Sequence, residues 1–248
     1  MSGKRKHPVL NVAQHLLYTF RWTFFFYWII FILVFIGLAV LVNEKVIPDG
    51  ELNLNEIWES VTISPKIFLM VIGILLTPAS LASFVACGVT RRHFIRGVTL
   101  FMAVSSALLA LLMMAGISFE QFIYERNNWS IELQNTHLFT SPSQLGLVFV
   151  EYFCLFFAYF GSGWLIGSGY YRFHWRNGLL ITLVAIVTAV AMDIVLTSKW
   201  LGELLQSPFN AQHTPVAAVV LLAILVIAII VVLNDRILRR VAIKKKMF

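Results

Sequence analysis

The sequence predicts an all-α, polytopic membrane protein, and three observations carry that class. Hydrophobic residues make up 59% of the 248-residue chain and charged residues only 12%, whereas soluble domains are about a quarter charged. Apolar runs of roughly 20 residues, long enough to cross a bilayer core at 1.5 Å rise per helical residue, recur six times. Basic and acidic residues segregate to opposite ends of those runs. Spans and their connections use up the length, so one domain over residues 1–248 is expected, with no soluble enzyme module.

In chain order, MSGKRKHPVL has the basic start of a signal peptide, but an amphipathic pattern follows it rather than a short apolar core with a cleavage site, so the segment is expected to be retained. Val9, Val12, Ala13, Leu16, Leu17 and Phe20 fall on one helical face, with Asn11, Gln14 and His15 on much of the other. The pattern predicts an interfacial amphipathic helix over residues 8–21, started by Pro8. The alternative is the first span extended into the interface. Spans are expected at about 22–42, 67–86, 98–117, 145–168, 179–196 and 216–233. The first carries an aromatic run, Trp22, Phe24, Phe25, Phe26, Tyr27, Trp28, Phe31 and Phe35, read as lipid- and neighbour-facing bulk. In the fourth, Gly163 and Gly167 form a GxxxG that Gly161, Ser162, Ser168 and Gly169 widen into a smooth helix-packing face.

The even number of spans puts both termini on one side, and the positive-inside rule makes that side cytoplasmic. Cytoplasmic segments then hold Lys4, Arg5, Lys6, Arg21, Arg91, Arg92, Arg96, Arg172, Arg176, Arg236, Arg239, Arg240 and Lys244 to Lys246; only Lys45, Lys66, Arg126 and Lys199 lie outside. Glu44, Asp49, Glu51, Glu56, Glu59, Glu120, Glu125, Glu132 and Glu203 are all outer. The pI near 9.6 is therefore topological: it suits contact with anionic membrane lipids and not nucleic acid. Among the outer connections, NNWS matches a glycosylation sequon. Ser198 to Pro215, apolar yet broken by Gly202, Pro208 and Pro215, reads either as a re-entrant segment covered by protein or as a surface loop with an aromatic anchor.

No catalytic constellation appears. The six histidines are scattered on both sides, no Cys/His metal spacing occurs, and no GxxxxGK[ST] loop is present. Cys87 and Cys154 sit in or beside apolar runs as small hydrophobes, without a disulfide framework. Glu151 and Asp193 lie toward the outer ends of their spans. Intramembrane carboxylates are costly and often functional, although local pairing would also explain them. With Trp200 and Phe209 they are the candidates for a substrate path or outer gate.

The stretch ACGVTRRHFIRG concentrates charge between the second and third spans. Gly88 suits the end of one helix and Thr90 the cap of the next. Arg91, Arg92, His93, Phe94 and Arg96 make little more than one turn before Gly97. The segment resembles the G-[IV]-[ST]-R-R-x-[FY]-x-x-G-like coupling helix of the membrane subunits of ATP-binding-cassette (ABC) exporters with six spans, an interfacial amino-terminal helix and a separate ATPase chain. The expected layout agrees over nearly the whole chain. The resemblance implies a single permease domain that is not itself an enzyme. It implies a second permease subunit, identical or paralogous, and a cytoplasmic ATPase partner that holds ATP and Mg, with no cofactor on this chain. Residues 88–97 would dock on that partner, with Phe94 as apolar anchor and Arg172 and Arg176 as a secondary contact. The expected location is a bacterial plasma membrane, and the expected substrate an amphipathic or antimicrobial peptide, a drug or a lipid-like molecule. A membrane sensor or assembly factor binding another cytoplasmic partner is the alternative; a secondary transporter would need mid-membrane ionisable groups.

Overall fold

The computed structural model describes residues 7–43, 62–127, 138–139, 143–173, 175–196 and 216–239, and these are helical apart from short turns and connections. The helices are α1 (Pro8–Asn43), α2 (Ile63–Ala86), α3 (Arg91–Asn127), α4 (Leu145–Arg172), α5 (Trp175–Leu196) and α6 (Val216–Leu238). Each contains a stretch long and apolar enough to cross a membrane: Pro8–Val34, Ile63–Ala86, Arg91–Phe119, Leu145–Arg172, Trp175–Leu196 and Val216–Leu238. Among the described residues the protein is thus all-helical, with six helices fit to cross a membrane, as in a multi-pass membrane protein. The acidic connection after the first span, the NNWS sequon, the segment 198–215 with Trp200 and Phe209, and the basic tail from Arg240 lie outside the described residues.

α4 is the central helix, packing on α2, α3, α5 and α6. Its small residues permit this, as the GxxxG pattern predicts. A Cβ on Gly163 would overlap the Met70 carbonyl of α2, and one on Gly167 the Ile74 carbonyl. From the other side, a Cβ on Gly73 would stand 2.7 Å from the Trp164 amide nitrogen. The two helices therefore meet backbone to backbone, the geometry that gives helices dispersion contact in a solvent as apolar as their side chains. Pro78 lies inside α2 and lacks the N–H that would bond the carbonyl four residues earlier, which is Ile74. That freed oxygen faces the Cα–H of Gly167, a weak but well-placed acceptor contact. Gly161 gives Ile230 of α6 and Met102 of α3 similar access.

α1 packs on α3 at the rim of the bundle. Val12, Ala13 and Leu16 are buried, and a Cβ on Gly97 would stand 2.6 Å from the Val12 side chain. Farther along, Phe20 and Phe24 meet Phe101. Tyr27 stacks on Phe68 with ring centroids 3.8 Å apart, and its hydroxyl shares a 2.9 Å hydrogen bond with Ser64.

Residues 8–21 run without a break into the rest of α1, and α3 covers their apolar face. The apolar stretch Pro8–Val34 of α1 overlaps the expected span 22–42. Arg21 lies roughly 21 Å along α1 from His7 at helical rise, and His7 is the residue that meets His93, so Arg21 does not group with Arg91 and Arg172. Residues 88–97 are a turn followed by the opening of α3, and Gly97 is a crossing point inside that helix rather than its end.

Candidate functional site

The arginine-rich turn is built from two caps. Ala86 ends α2, and Gly88 follows with φ of +81°, a left-handed conformation that favours glycine. The Gly88 N–H donates to the Val85 carbonyl and the Val89 N–H to the Phe84 carbonyl, each at 3.0 Å, which together make a Schellman motif. Thr90 then caps α3: its hydroxyl accepts the His93 N–H at 3.3 Å and lies 3.0 Å from His93 Nδ1. Phe94 is fully buried, its ring 5.7 Å from that of Phe84. It anchors the turn to the chain's own helices and is not available as an apolar anchor for a partner.

The arginines divide into two groups. Arg91 donates to the Arg239 carbonyl at 3.3 Å, and Arg172 to the Arg236 and Ile237 carbonyls at 3.1 and 2.7 Å. Both therefore cap the carboxy-terminal end of α6, where free carbonyls and the helix dipole favour cations. Asp235 holds Arg239 at 2.7 Å beside them. Arg92, Arg96 and Arg176 are exposed, as are Gly88 and Thr90, and His93 is half-buried. One end of the bundle thus carries a cationic surface whose footing is tied to α2, α3, α4 and α6.

The two intramembrane carboxylates are both engaged. Glu151 is buried and accepts the Leu138 N–H at 2.8 Å. Asp193 pairs with Lys66 at 3.0 Å and accepts the Tyr159 hydroxyl proton, while the Lys66 ammonium stands 5.5 Å from the Tyr159 ring centroid.

Sequence reasoning missed a buried polar chain beside the glycines. Trp164 Nε1 donates to the Thr77 hydroxyl at 3.0 Å, which shares a 2.9 Å bond with Ser168. Ser168 reaches Asn234 Oδ1 at 3.5 Å, and Asn234 Nδ2 donates to the Gly161 and Ile230 carbonyls at 3.2 and 3.0 Å. These four side chains are fully buried and tie α2 and α6 to α4. The signal for Asn234 was its place as the only amide following the purest apolar run, in VVLNDR. Ser162 and Thr188 add a bond of 3.0 Å between α4 and α5. No family, no curated protein and no solved structure matches the chain.

Proposed function

We propose that this chain is the membrane subunit of an ABC exporter, working beside a second permease subunit above cytoplasmic ATPase chains that hold ATP and Mg. In this reading the arginine-rich end is cytoplasmic, both termini lie there, and the protein resides in a bacterial plasma membrane. The observation that supports it is the double-capped turn between α2 and α3. A push on Arg92 and Arg96 reaches α2 through the Schellman turn, α3 through the Thr90 cap and α6 through Arg91. Motion of a partner is thereby delivered to three helices, and α4, which packs on all three, would receive it next. Since Phe94 is spent inside the chain, docking rests on the exposed Thr90, Arg92 and Arg96, with Arg176 as the secondary contact. The chain's part is mechanical, and the exported molecule is amphipathic: a peptide, a drug or a lipid-like compound.

The test is affinity purification of the tagged chain from its own host, followed by identification of any co-purifying ATPase and assay of ATP hydrolysis in lipid. Arg92→Glu/Arg96→Glu should lower recovery of the ATPase by about tenfold or more, as reversal of charges at a docking surface does. Arg91 is unsuitable as the reporter because it caps α6. Well-folded chain that recovers no ATPase would overturn the assignment in favour of a sensor or assembly factor.

A further inference from the structure

Lys66 belongs to the first turn of α2 and Asp193 to the last turn of α5, positions that by themselves place neither at depth. Their shared neighbour does. Tyr159, which donates to Asp193, stands midway along α4, roughly 20 Å from either end at helical rise. The packing register agrees. α2 runs parallel to α4, with Met70 against Gly163 and Ile74 against Gly167, which sets Lys66 level with Tyr159. α5 runs antiparallel, with Ile181 against Gly169 and Thr188 bonded to Ser162, which sets Asp193 at the same height. The Lys66–Asp193 pair, at 3.0 Å and partly exposed, therefore lies at the middle of a stretch fit to cross a membrane.

Ionised side chains at that depth are costly and mark paths for polar groups. The pair also constrains what can bind there. Opening it leaves an ammonium and a carboxylate without counter-charge in a low-dielectric setting, which is strongly unfavourable. An anionic ligand satisfies only Lys66 and a cationic one only Asp193, whereas a zwitterion replaces the internal pair with a partner for each. The Tyr159 ring favours the same class: Lys66 Nζ stands 5.5 Å from its centroid, so a ligand ammonium taking that place keeps an aromatic face. Depth identifies the source of the ligand. A bilayer lipid keeps its head group at the surface, about 15 Å from the mid-plane of the hydrocarbon core, so a head group beside Tyr159 belongs to a molecule in transit.

We propose that Lys66, Asp193 and Tyr159 form the binding site for the head group of an exported zwitterionic amphiphile. Lys66 turns to the anionic group of the ligand, while Asp193, held by the Tyr159 hydroxyl, takes its ammonium. Without cargo the two side chains close on each other, the arrangement seen in the structure. The inference rests on the exporter reading for the passage of cargo but not for what drives it, and its test uses this chain alone.

The full chain, carrying 3-fluorotyrosine at position 159, is purified in dodecyl maltoside and titrated with dodecylphosphocholine, dodecyl phosphate or dodecyltrimethylammonium while the fluorine resonance is followed. Dodecylphosphocholine should move the resonance at about tenfold lower concentration than either singly charged amphiphile, the margin of one further charge-assisted contact. Lys66→Gln should shift the preference to dodecyltrimethylammonium and Asp193→Asn to dodecyl phosphate, an inversion that a purely structural ion pair would not produce. Lys66→Asp/Asp193→Lys keeps both charges and should keep the preference for dodecylphosphocholine, which covers loss of fold in the single variants. Equal potency of the three amphiphiles on the unaltered chain, or a ranking that neither single variant changes, would overturn the site. Neither result bears on recovery of an ATPase, so the two readings fail separately.

Discussion

At Gly88 the chain holds φ at +81° to complete the Schellman motif, and an alanine there must adopt a left-handed conformation. Gly88→Ala should cost roughly 1 kcal/mol, read as a lower Tm in detergent, although a Cβ would meet nothing within 4 Å. The converse holds at Gly163, whose backbone is ordinary helix but whose missing Cβ is occupied by the Met70 carbonyl. Gly163→Leu should separate α2 from α4 and destabilise by about 3 kcal/mol or more. Thr77 illustrates a third cost. Thr77→Val keeps the shape but leaves the Trp164 N–H without its acceptor in a dry interior, a loss of about 1–3 kcal/mol that Thr77→Ser should largely avoid. All three are measurable by thermal or denaturant unfolding in micelles. Only the glycines were legible in the sequence, because spacing alone marks a close-packing face. The Thr77–Ser168–Asn234 chain was not, since three polar residues distant in sequence reveal a network only once α4 brings them together.

Among the elements, α2 to α6 lie close to where hydropathy places them. In α1 the residues after Arg21 are more apolar than those before, so composition suggests a first span at 22–42, while the helix packs along α3 from Val12 onward: Gly97 admits Val12, and the amphipathic face that would suit a lipid interface is covered by another helix. A paired-cysteine variant distinguishes the two registers. With Cys87 and Cys154 replaced, Tyr27→Cys/Ser64→Cys should cross-link through a short bifunctional thiol reagent, because the native side chains are hydrogen-bonded at 2.9 Å. A span beginning at Trp22 would leave position 27 well below the start of α2, and no product would form. At the same end of the bundle, Lys66 and Asp193 join α2 to α5. A double-mutant cycle on unfolding should give a coupling of roughly 0.5–1 kcal/mol, modest because both side chains remain partly exposed.

Across the whole molecule, charge separation along the sequence made the membrane class and the clustering of arginines legible, since both follow from composition and order. Which arginines are free was not. Arg91 and Arg92 are adjacent and chemically identical, yet one closes the end of α6 and the other faces outward. That division depends on where α6 ends in space, which no local pattern encodes. It also sharpens the proposed role of the turn: the exposed cations act from a base fixed to three helices. A photoreactive residue placed at Arg92 or Arg96 in living cells tests this most directly. The ABC exporter reading predicts a cross-linked product containing the ATPase chain from both positions, and a weaker one from Arg176. Products containing only lipid, or a cytoplasmic protein that binds no ATP, would contradict it.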